Sequence, residues 1–271
     1  MKDTDCIDFL QWALPRLHLR WRGFRRVRRQ VCKRISRRMA ELGLTDASSY
    51  RDYLECHDDE WARLDGLCWI SISRFYRDRG VYDFLGQEVL PALIANRHRG
   101  ARELWAWSVG CASGEEPYGL ALVWHFVLGP AHPNLDLRIV ATDVDPVLLE
   151  RARRACYPQG TLKELPLVWR DRAFEERNGR LCLRAVFRGA VRFRRQDLRL
   201  ARPKEGFDLV LCRNLAFTYF EEGVQRKILE RIGGALRPGG ALVLGRHERL
   251  PEGAAGFAPW SAGHRVYRRA A

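Results

Sequence analysis

Four short apolar runs between residues 101 and 250 each end in a polar or glycine-containing turn. They read ELWAWSVG, LRIVATDVD, FDLVLCRN and GALVLG, and stretches of helical character separate the first three. Strands that alternate with helices form a parallel sheet whose two faces are covered by helices. The pattern therefore predicts a Rossmann-like α/β domain, and ligands of such sheets bind at the carboxyl ends of the strands.

The first ninety residues lack this alternation and have the spacing of helices instead. Apolar side chains recur every three or four residues at Phe24, Val27, Val31, Ile35, Met39 and Leu42. This spacing predicts one helix with a single apolar stripe, which Gly43 ends. A second helix is expected to begin near Ser48 or Ser49, because either serine can cap it.

A third helix is expected from Asp78. Its inward face is predicted to consist of Val81, Phe84, Leu85, Val89 and Leu90. All three helices precede the first strand. We therefore predict an all-helical N-terminal domain over residues 1–90 and an α/β domain over residues 91–271.

The strand–helix alternation is interrupted between residues 157 and 197. The segment NGRLCLRAVFRGAVRFRRQDL contains two strand-like runs and the dipeptide Asn178-Gly179. Asn-Gly between strand-like runs is typical of a β-hairpin. We therefore predict a small antiparallel β insertion at about residues 157–197.

The chain carries a formal net charge of +14, and the excess is concentrated near its beginning. Residues 9–40 contain many Arg and Lys residues and no Asp or Glu. Five of these side chains share a second face of the first predicted helix and form the basic ridge: Arg22, Arg26, Arg29, Lys33 and Arg37. The ridge favours an acidic protein partner or a nucleic acid, and the alternative is a solvated helix face without a partner.

Eight cysteines occur singly, at residues 6, 32, 56, 68, 111, 156, 182 and 212, without a CxxC pair. This pattern predicts reduced thiols and a cytoplasmic protein. No metal site is predicted. No apolar run approaches the roughly 20 residues that a membrane-spanning helix needs.

The turn after the first predicted strand contains two glycines and two glutamates. Gly110 and Gly114 allow the backbone to approach a ligand and then to enter a helix. Their spacing differs from the dinucleotide pattern GxGxxG, and no GK[ST] follows to bind phosphates. The carboxylates of Glu115 and Glu116 suit a cationic ligand better than a phosphate. The amino group and sulfonium of S-adenosylmethionine are such cations.

Aspartates follow the next predicted strands. Asp143 and Asp145 end the second strand, where a ribose needs an acceptor for its hydroxyl groups, and Asp197 lies at the edge of a third strand. A glycine turn between strand and helix also has a simple packing explanation. Taken together and in this order, the features favour a nucleoside ligand.

Several longer motifs resemble those of a known family. They are SRFYRD, GCASGEEPYGLAL, ATDVDPVLLERARRACYP, FDLVLCRN, LRPGGALVLG and the closing VYRR. In this order the chain resembles the chemotaxis receptor methyltransferases of the CheR type, from about Arg22 to Arg268. These enzymes use S-adenosylmethionine to esterify glutamate side chains on receptor helices. The resemblance implies a class I methyltransferase sheet and a cytoplasmic signalling enzyme.

The resemblance also implies roles for individual residues. The residues expected to contact the cofactor are Ser71, Ser73, Arg77, Gly110, Gly114, Glu116, Asp143, Asp197, Leu198, Arg213 and Asn214. Within this set, Gly110, Gly114 and Glu116 would hold the methionine part. Asp143 would bind the ribose, and Asp197 and Leu198 would flank the adenine.

Arg77, Asn214 and Tyr219 are the expected catalytic residues, because they would face the transferred methyl group. The Arg77 guanidinium can bind both oxygens of a substrate carboxylate. A glutamate is already ionised at neutral pH, with a pKa of about 4.3, so the reaction needs no general base. The basic ridge would bind the acidic methylation helix of the receptor, and in some family members the β insertion docks the receptor's tail.

The sequence departs from the family pattern near the acceptor side. Ser71 and Ser73 occupy positions where the family has Asn and Thr, and GRHE replaces GHSE after the last strand. Four residues, instead of three, separate Asn214 from Tyr219, so Phe217 or Thr218 are candidates for the space of the tyrosine. These changes leave alternatives open. The first alternative is a diverged methyltransferase that acts on a small carboxylic acid or a nucleic acid. The others are a non-catalytic S-adenosylmethionine-binding regulator and a basic nucleic-acid-binding module.

Overall fold

The computed structural model describes residues 2–97 and 101–270, and in it the chain folds as two units. The first unit comprises Met1–Ser71 with Thr218–Gln225, and the second comprises Ile72–Phe217 with Arg226–Ala271. The domain boundary was predicted between residues 90 and 91, whereas the helix that follows Asp78 packs in the second unit.

Helices build the first unit. They are α1 (Asp3–Arg16), α2 (Trp21–Phe24), α3 (Arg28–Glu41), α4 (Ala47–Cys56) and α5 (Asp58–Cys68). Their buried faces meet in an apolar core that includes Phe9, Phe24, Ile35 and Tyr50. The prediction of a helical N-terminal region is confirmed.

The prediction of one continuous helix from Phe24 to Leu42 is wrong, because the chain turns at residues 25–27 between α2 and α3. Gly23 lies against the backbone of Thr218, where an added Cβ atom would come within 2.4 Å of the carbonyl oxygen. A contact with so distant a segment is invisible to local periodicity. α3 itself keeps the predicted apolar stripe along its buried face.

The ends of α3 and α4 agree only in part with the sequence analysis. Gly43 follows α3 with φ +72°, a conformation suited to glycine, and ends the helix as predicted. Asp46, rather than Ser48 or Ser49, caps α4. Its carboxylate accepts a hydrogen bond from the backbone N–H of Ser49 at 2.9 Å, so the helix starts earlier than predicted.

A buried charge network crosses the first unit. The Glu60 side chain, only 4% exposed, accepts hydrogen bonds from Arg38 Nε at 2.9 Å and from Tyr50 Oη at 2.8 Å. A second guanidinium nitrogen of Arg38 lies 2.8 Å from the other carboxylate oxygen. The Arg38 hydrogen bonds hold the pKa of Glu60 below its ordinary value of 4.5.

Replacing Glu60 with glutamine is expected to lower the free energy of unfolding by about 3 kcal/mol at neutral pH, because Arg38 loses its buried counter-charge. Since the folded pKa of Glu60 lies below 4.5, its stabilising contribution is present above that pH and is lost as the pH falls through the folded value. Urea unfolding of wild type and Glu60→Gln, at neutral pH and at about pH 3, measures the difference. The prediction is contradicted if the difference in the free energy of unfolding between the two proteins is as large at the acidic pH as at neutral pH.

The second unit contains two sheets. Its strands are β1 (Glu103–Val109), β2 (Asp136–Asp143), β3 (Cys156–Tyr157), β4 (Phe174–Arg177), β5 (Arg180–Leu183), β6 (Val191–Arg195), β7 (Phe207–Cys212), β8 (Leu236–Leu244), β9 (Phe257–Ser261) and β10 (Val266–Arg269). The main sheet has the order β6-β2-β1-β7-β8-β10-β9. The pairings from β6 to β8 are parallel, whereas β10 is antiparallel to β8 and β9. The predicted α/β fold is confirmed.

Helices precede β1 and link later strands, and residues 218–225, which include parts of the last two helices, belong to the first unit. These helices are α6 (Arg79–Phe84), α7 (Leu90–Ala95), α8 (Glu115–Val123), α9 (Pro146–Arg154), α10 (Leu167–Ala173), α11 (Ala216–Tyr219) and α12 (Glu222–Ala235). A π-helical turn joins α6 to α7, and the predicted inward residues along them are buried, except that Phe84 is half-buried. Among the described residues, no helix has both the length and the apolar character needed to cross a membrane.

The predicted β insertion is present but shorter than expected. β3, β5 and β4 form a small antiparallel sheet, and Asn178 and Gly179 turn between β4 and β5 with φ +49° and +70°. The last strand-like run of the predicted insertion is β6, which pairs in parallel with β2 in the main sheet. Assigning that run to the insertion was wrong, because its partner strand lies about fifty residues earlier in the sequence.

The prediction that all eight cysteines are reduced is also wrong. Disulfides join Cys6 to Cys32, between α1 and α3, and Cys156 to Cys182, between β3 and β5. The partners of each pair are 26 residues apart, and only helix packing or strand pairing brings them together. The cytoplasmic location loses its support from reduced thiols and stays a prediction.

Candidate active site

The ends of four neighbouring strands meet at one edge of the main sheet. β1 runs between β2 and β7, and β8 lies on the other side of β7. Since these strands are parallel, the turns that follow them share that edge. The turns that the sequence analysis singled out after β1, β2 and β7 are therefore brought together.

The turn after β1 depends on its glycines. Gly110 and Gly114 have φ +66° and +91°, in the left-handed region that glycine tolerates. An added Cβ atom would lie 2.4 Å from the Leu215 side chain at the first position and 3.0 Å from Ala152 Cβ at the second. Neither position has room for a side chain, so the turn keeps this conformation only as long as both residues remain glycine.

Glu116, expected to hold the methionine part of the cofactor, is engaged by protein groups on both oxygens. Oε1 accepts a hydrogen bond from Ser108 Oγ at 2.7 Å, and Oε2 lies 3.5 Å from Arg213 Nη1. Burial raises the pKa of Glu116, and the Arg213 charge opposes that shift. Each oxygen keeps a second lone pair with which it can accept a hydrogen bond from a ligand.

Glu115 offers another carboxylate at the same turn. Its side chain is buried, and burial raises its pKa, a shift that the nearby Ser73 side chain opposes. Its Oε2 atom is buried and has no hydrogen-bond partner among the described residues. Buried polar atoms seldom lack a partner, and the cationic amino-acid end of S-adenosylmethionine supplies donors. The turn therefore fits that cofactor, as its two carboxylates predicted, although the family resemblance placed only Glu116 among the residues that contact it.

The two aspartates after β2 have different roles. Asp143 links the neighbouring turns, because Oδ2 accepts the Ala112 N–H at 2.8 Å and Oδ1 accepts the Asp145 N–H at 3.0 Å. Burial raises the pKa of Asp143. Asp145 instead caps α9 by accepting the Val147 N–H at 2.8 Å. The ribose contact expected of Asp143 stays a prediction.

Asp197 and Leu198 follow β6, on the side of β2 that faces away from β1. Arg199 binds the Asp197 carboxylate, with Nη2 2.8 Å from Oδ2 and Nε 3.1 Å from Oδ1. The Leu198 side chain is buried. An apolar side chain beside an oriented carboxylate is compatible with the predicted adenine contact.

Arg213, directly after β7, is a buried cation whose side chain is 2% exposed. Nη2 donates to the Arg77 carbonyl oxygen at 2.7 Å and to Asp78 Oδ2 at 2.8 Å, while Nη1 faces Glu116. The guanidinium carbon lies 5.4 Å from the ring centroid of Tyr82. Arg213 therefore anchors the backbone of Arg77, a contact that the sequence did not indicate.

Left-handed backbone conformations cluster at the same edge. Tyr76 and Asp78, on either side of Arg77, have φ +57° and +62°, and Ala112 and Asn214 have φ +47° and +56°. Asn and Asp adopt this conformation more readily than other residues with a side chain, so Tyr76 and Ala112 are the strained positions here, and such strain concentrates at functional sites. The half-buried Arg77 is thus held in a constrained segment.

Residues 71–265 match a family model described as CheR methyltransferase, SAM binding domain. The chain belongs to this family. A chemotaxis protein methyltransferase of Listeria innocua is 36% identical over 184 residues, which are 68% of this chain and 67% of that protein. The Escherichia coli chemotaxis protein methyltransferase is 30% identical over 237 residues, 82% of this chain and 77% of that protein.

A longer relative also matches. An uncharacterized 104.1 kDa protein of Rhodobacter capsulatus is 34% identical over 238 residues, which are 88% of this chain and 25% of that protein. The chain therefore spans about a quarter of the length of that relative. The CheR resemblance is confirmed, and with it the methyltransferase assignment and S-adenosylmethionine as the cofactor of the matched domain.

Two residues that the CheR resemblance assigned to the site belong to the first unit. Tyr219 packs its ring against Phe24, with the centroids 5.1 Å apart, and its carbonyl oxygen accepts the Arg20 N–H at 2.8 Å. Ser71 is exposed and ends the first segment of that unit. Phe217, in contrast, is buried in the second unit.

The basic ridge of this CheR-family chain also lies in the first unit. Arg22 lies on α2 and Arg26 in the following turn, whereas Arg29, Lys33 and Arg37 lie on α3. The expectation that all five share one helix is therefore wrong. All five side chains are exposed, and within residues 2–97 and 101–270 none forms an ion pair shorter than 4 Å.

Proposed function

We propose that this chain transfers the methyl group of S-adenosylmethionine to glutamate side chains of a receptor-like protein. Its family membership and its relatives named chemotaxis protein methyltransferases support the proposal. The observation that carries it is the constrained setting of Arg77. This half-buried guanidinium lies between two left-handed residues, and the buried Arg213 holds its carbonyl group.

The residues of the chain would supply binding and alignment. When bound, S-adenosylmethionine supplies a methyl group that its sulfonium charge activates. The residues proposed to hold it belong to the strand-end turns: Gly110, Gly114, Glu115, Glu116, Asp143, Asp197 and Leu198. Glu115 and Glu116 would face the amino-acid part, and Asp143 the ribose.

Arg77 would bind the acceptor carboxylate. Its Nη1 donates to the Ile72 carbonyl oxygen at 3.0 Å, and a guanidinium has further donors in a fork that matches a carboxylate. A glutamate with a pKa of about 4.3 is already ionised, so no general base is required. Holding two reactants in alignment can lower a barrier by about 7–11 kcal/mol.

For the partner, we propose an acidic helical segment of the receptor that binds the basic ridge in the cytoplasm. The five exposed cations and the net charge of +14 support this choice. Neutralising the three cations of α3 together, in Arg29→Gln, Lys33→Gln and Arg37→Gln, is expected to raise the KM for the acceptor severalfold. The salt dependence of KM should weaken as well, because exposed charges steer association. An unchanged KM contradicts the proposal, and the affinity for S-adenosylmethionine serves as the control.

A labelled-methyl assay tests the proposed reaction. The chain is incubated with membranes of the source cells and S-adenosylmethionine carrying a labelled methyl group, and the proteins are then treated with mild alkali. Label on a membrane protein that leaves as methanol under alkali is the expected result, because a carboxyl methyl ester is alkali-labile. Gly114→Val is the matched inactive variant, since a branched side chain fits neither φ +91° nor the contact with Ala152.

Two outcomes contradict the proposal in different ways. If calorimetry shows that the chain binds S-adenosylmethionine but no protein becomes labelled, the protein acceptor is rejected. Small carboxylic acids and nucleic acids are then the acceptors to test. Equal labelling by wild type and Gly114→Val rejects the turn after β1 as the cofactor site.

A further inference from the structure

Glu248 is a buried carboxylate that no step of the proposed reaction uses. Its side chain, 2% exposed, lies just beyond the end of β8. Its Oε2 atom accepts the backbone N–H groups of Asn214 and Gly245, both at 2.7 Å, and Oε1 accepts that of Leu215 at 3.0 Å. One carboxylate thus ties the end of β7 to the end of β8.

The segment that Glu248 holds is a constrained one. Asn214 has φ +56°, in the left-handed region that asparagine adopts more readily than most residues other than glycine. Gly245 leaves the room for it, because an added Cβ atom would come within 2.7 Å of Asn214 Oδ1 and 2.8 Å of its backbone nitrogen. Asn214 is therefore fixed from two sides, by the hydrogen bonds of Glu248 and by the missing side chain of Gly245.

The same segment presents the residues expected to act at the site. Arg213 immediately precedes Asn214 and anchors the carbonyl of Arg77. Leu215 immediately follows it and covers Gly110, whose added Cβ atom would meet the leucine side chain at 2.4 Å. A shift of this short turn would move contacts on both sides of the candidate site.

We propose that Glu248 is a positioning residue, which fixes the turn of residues 213–215 so that the Asn214 amide is presented to the cofactor. The inference rests on the proposed function for the identity of that ligand. Glu248 acts through Asn214 and touches neither cofactor nor acceptor. Ionised carboxylates make the stronger hydrogen bonds to N–H groups, so the neutral Glu248→Gln, with one acceptor oxygen, should loosen the turn.

A double-mutant cycle on the dissociation constant of S-adenosylmethionine tests this coupling. Calorimetry is performed on wild type, Glu248→Gln, Asn214→Ala and the double variant. We expect Glu248→Gln alone to weaken binding at least fivefold, and to weaken it less than twofold further when Asn214 is already alanine. Gly245→Ala, which keeps the carboxylate but places a methyl group against Asn214, should reproduce the effect of Glu248→Gln.

Glu60→Gln is the matched control for a merely structural role. It removes an equally buried carboxylate from the first unit, so it should lower stability while leaving the dissociation constant within twofold of wild type. If the double variant raises the dissociation constant by the product of the two single-variant factors, the residues act independently and the proposal is overturned. It is also overturned if Glu60→Gln raises the dissociation constant as much as Glu248→Gln does. A wild-type chain that binds the cofactor and methylates no acceptor refutes the proposed function, while the binding cycle still decides the role of Glu248.

Discussion

Replacing Arg77 with alanine is expected to lower kcat/KM for a glutamate-containing acceptor by roughly 150-fold. Hydrogen bonds to a charged group contribute up to about 3 kcal/mol, and each 1.36 kcal/mol corresponds to about a tenfold change in rate. Arg77→Lys keeps the charge but loses the planar fork, so it should recover only part of the activity. Steady-state kinetics with a methyl-accepting peptide or receptor fragment measures both variants.

Arg79→Ala is the matched control for this prediction. Arg79 is a neighbouring exposed arginine, and its Nε lies 3.4 Å from Asp83 one helical turn away. Exposed pairs of this kind contribute little, so kcat/KM should change less than twofold. Equal losses in Arg77→Ala and Arg79→Ala would show that Arg77 has no special part in binding the acceptor.

The sheet edge that carries the candidate site could be predicted from the sequence, because apolar strands can be recognised from a short stretch of residues. A parallel sheet brings the turns after β1, β2 and β7 to one edge, so Gly110, Gly114 and Asp143 could be identified from their positions after strands. Glu116 was found in the same way. Arg213 was expected to contact the cofactor, but its pairing with Glu116, like that of Ser108, was not predicted, because nothing in the local pattern shows that a carboxylate will be engaged inside the protein.

The remaining differences come from contacts between distant segments. Glu248 is 34 residues from Asn214 in the sequence, and only the pairing of β7 with β8 brings it to that turn. The break between α2 and α3 accompanies the approach of Gly23 to Thr218. The strand β6 was assigned to the insertion because its partner β2 precedes it by two helices and a small sheet. Local periodicity carries no information on such pairings.

Removing the Arg213 side chain is expected to have the largest effect on stability. Asp78 and Glu116 both pair with this 2% exposed cation, so Arg213→Met leaves two carboxylates without their counter-charge. Breaking a buried ion pair from one side costs about 3–5 kcal/mol. Arg237→Met is the control, because its pair with Asp208 involves a side chain that is 45% exposed and should cost less than about 1 kcal/mol.

The pH dependence of this loss identifies its cause. Burial raises the pKa of Glu116 and the Arg213 charge counteracts it, so in Arg213→Met the folded pKa should rise further. An acid whose folded pKa is raised destabilises the fold at pH values above that pKa, and the penalty disappears as the pH falls and the group takes up a proton. Urea unfolding should therefore show that Arg213→Met lowers the free energy of unfolding, relative to wild type, by more at about pH 8 than at about pH 5. Adding Glu116→Gln should recover part of it at the higher pH, whereas a deficit independent of pH would attribute the loss to packing rather than to charge.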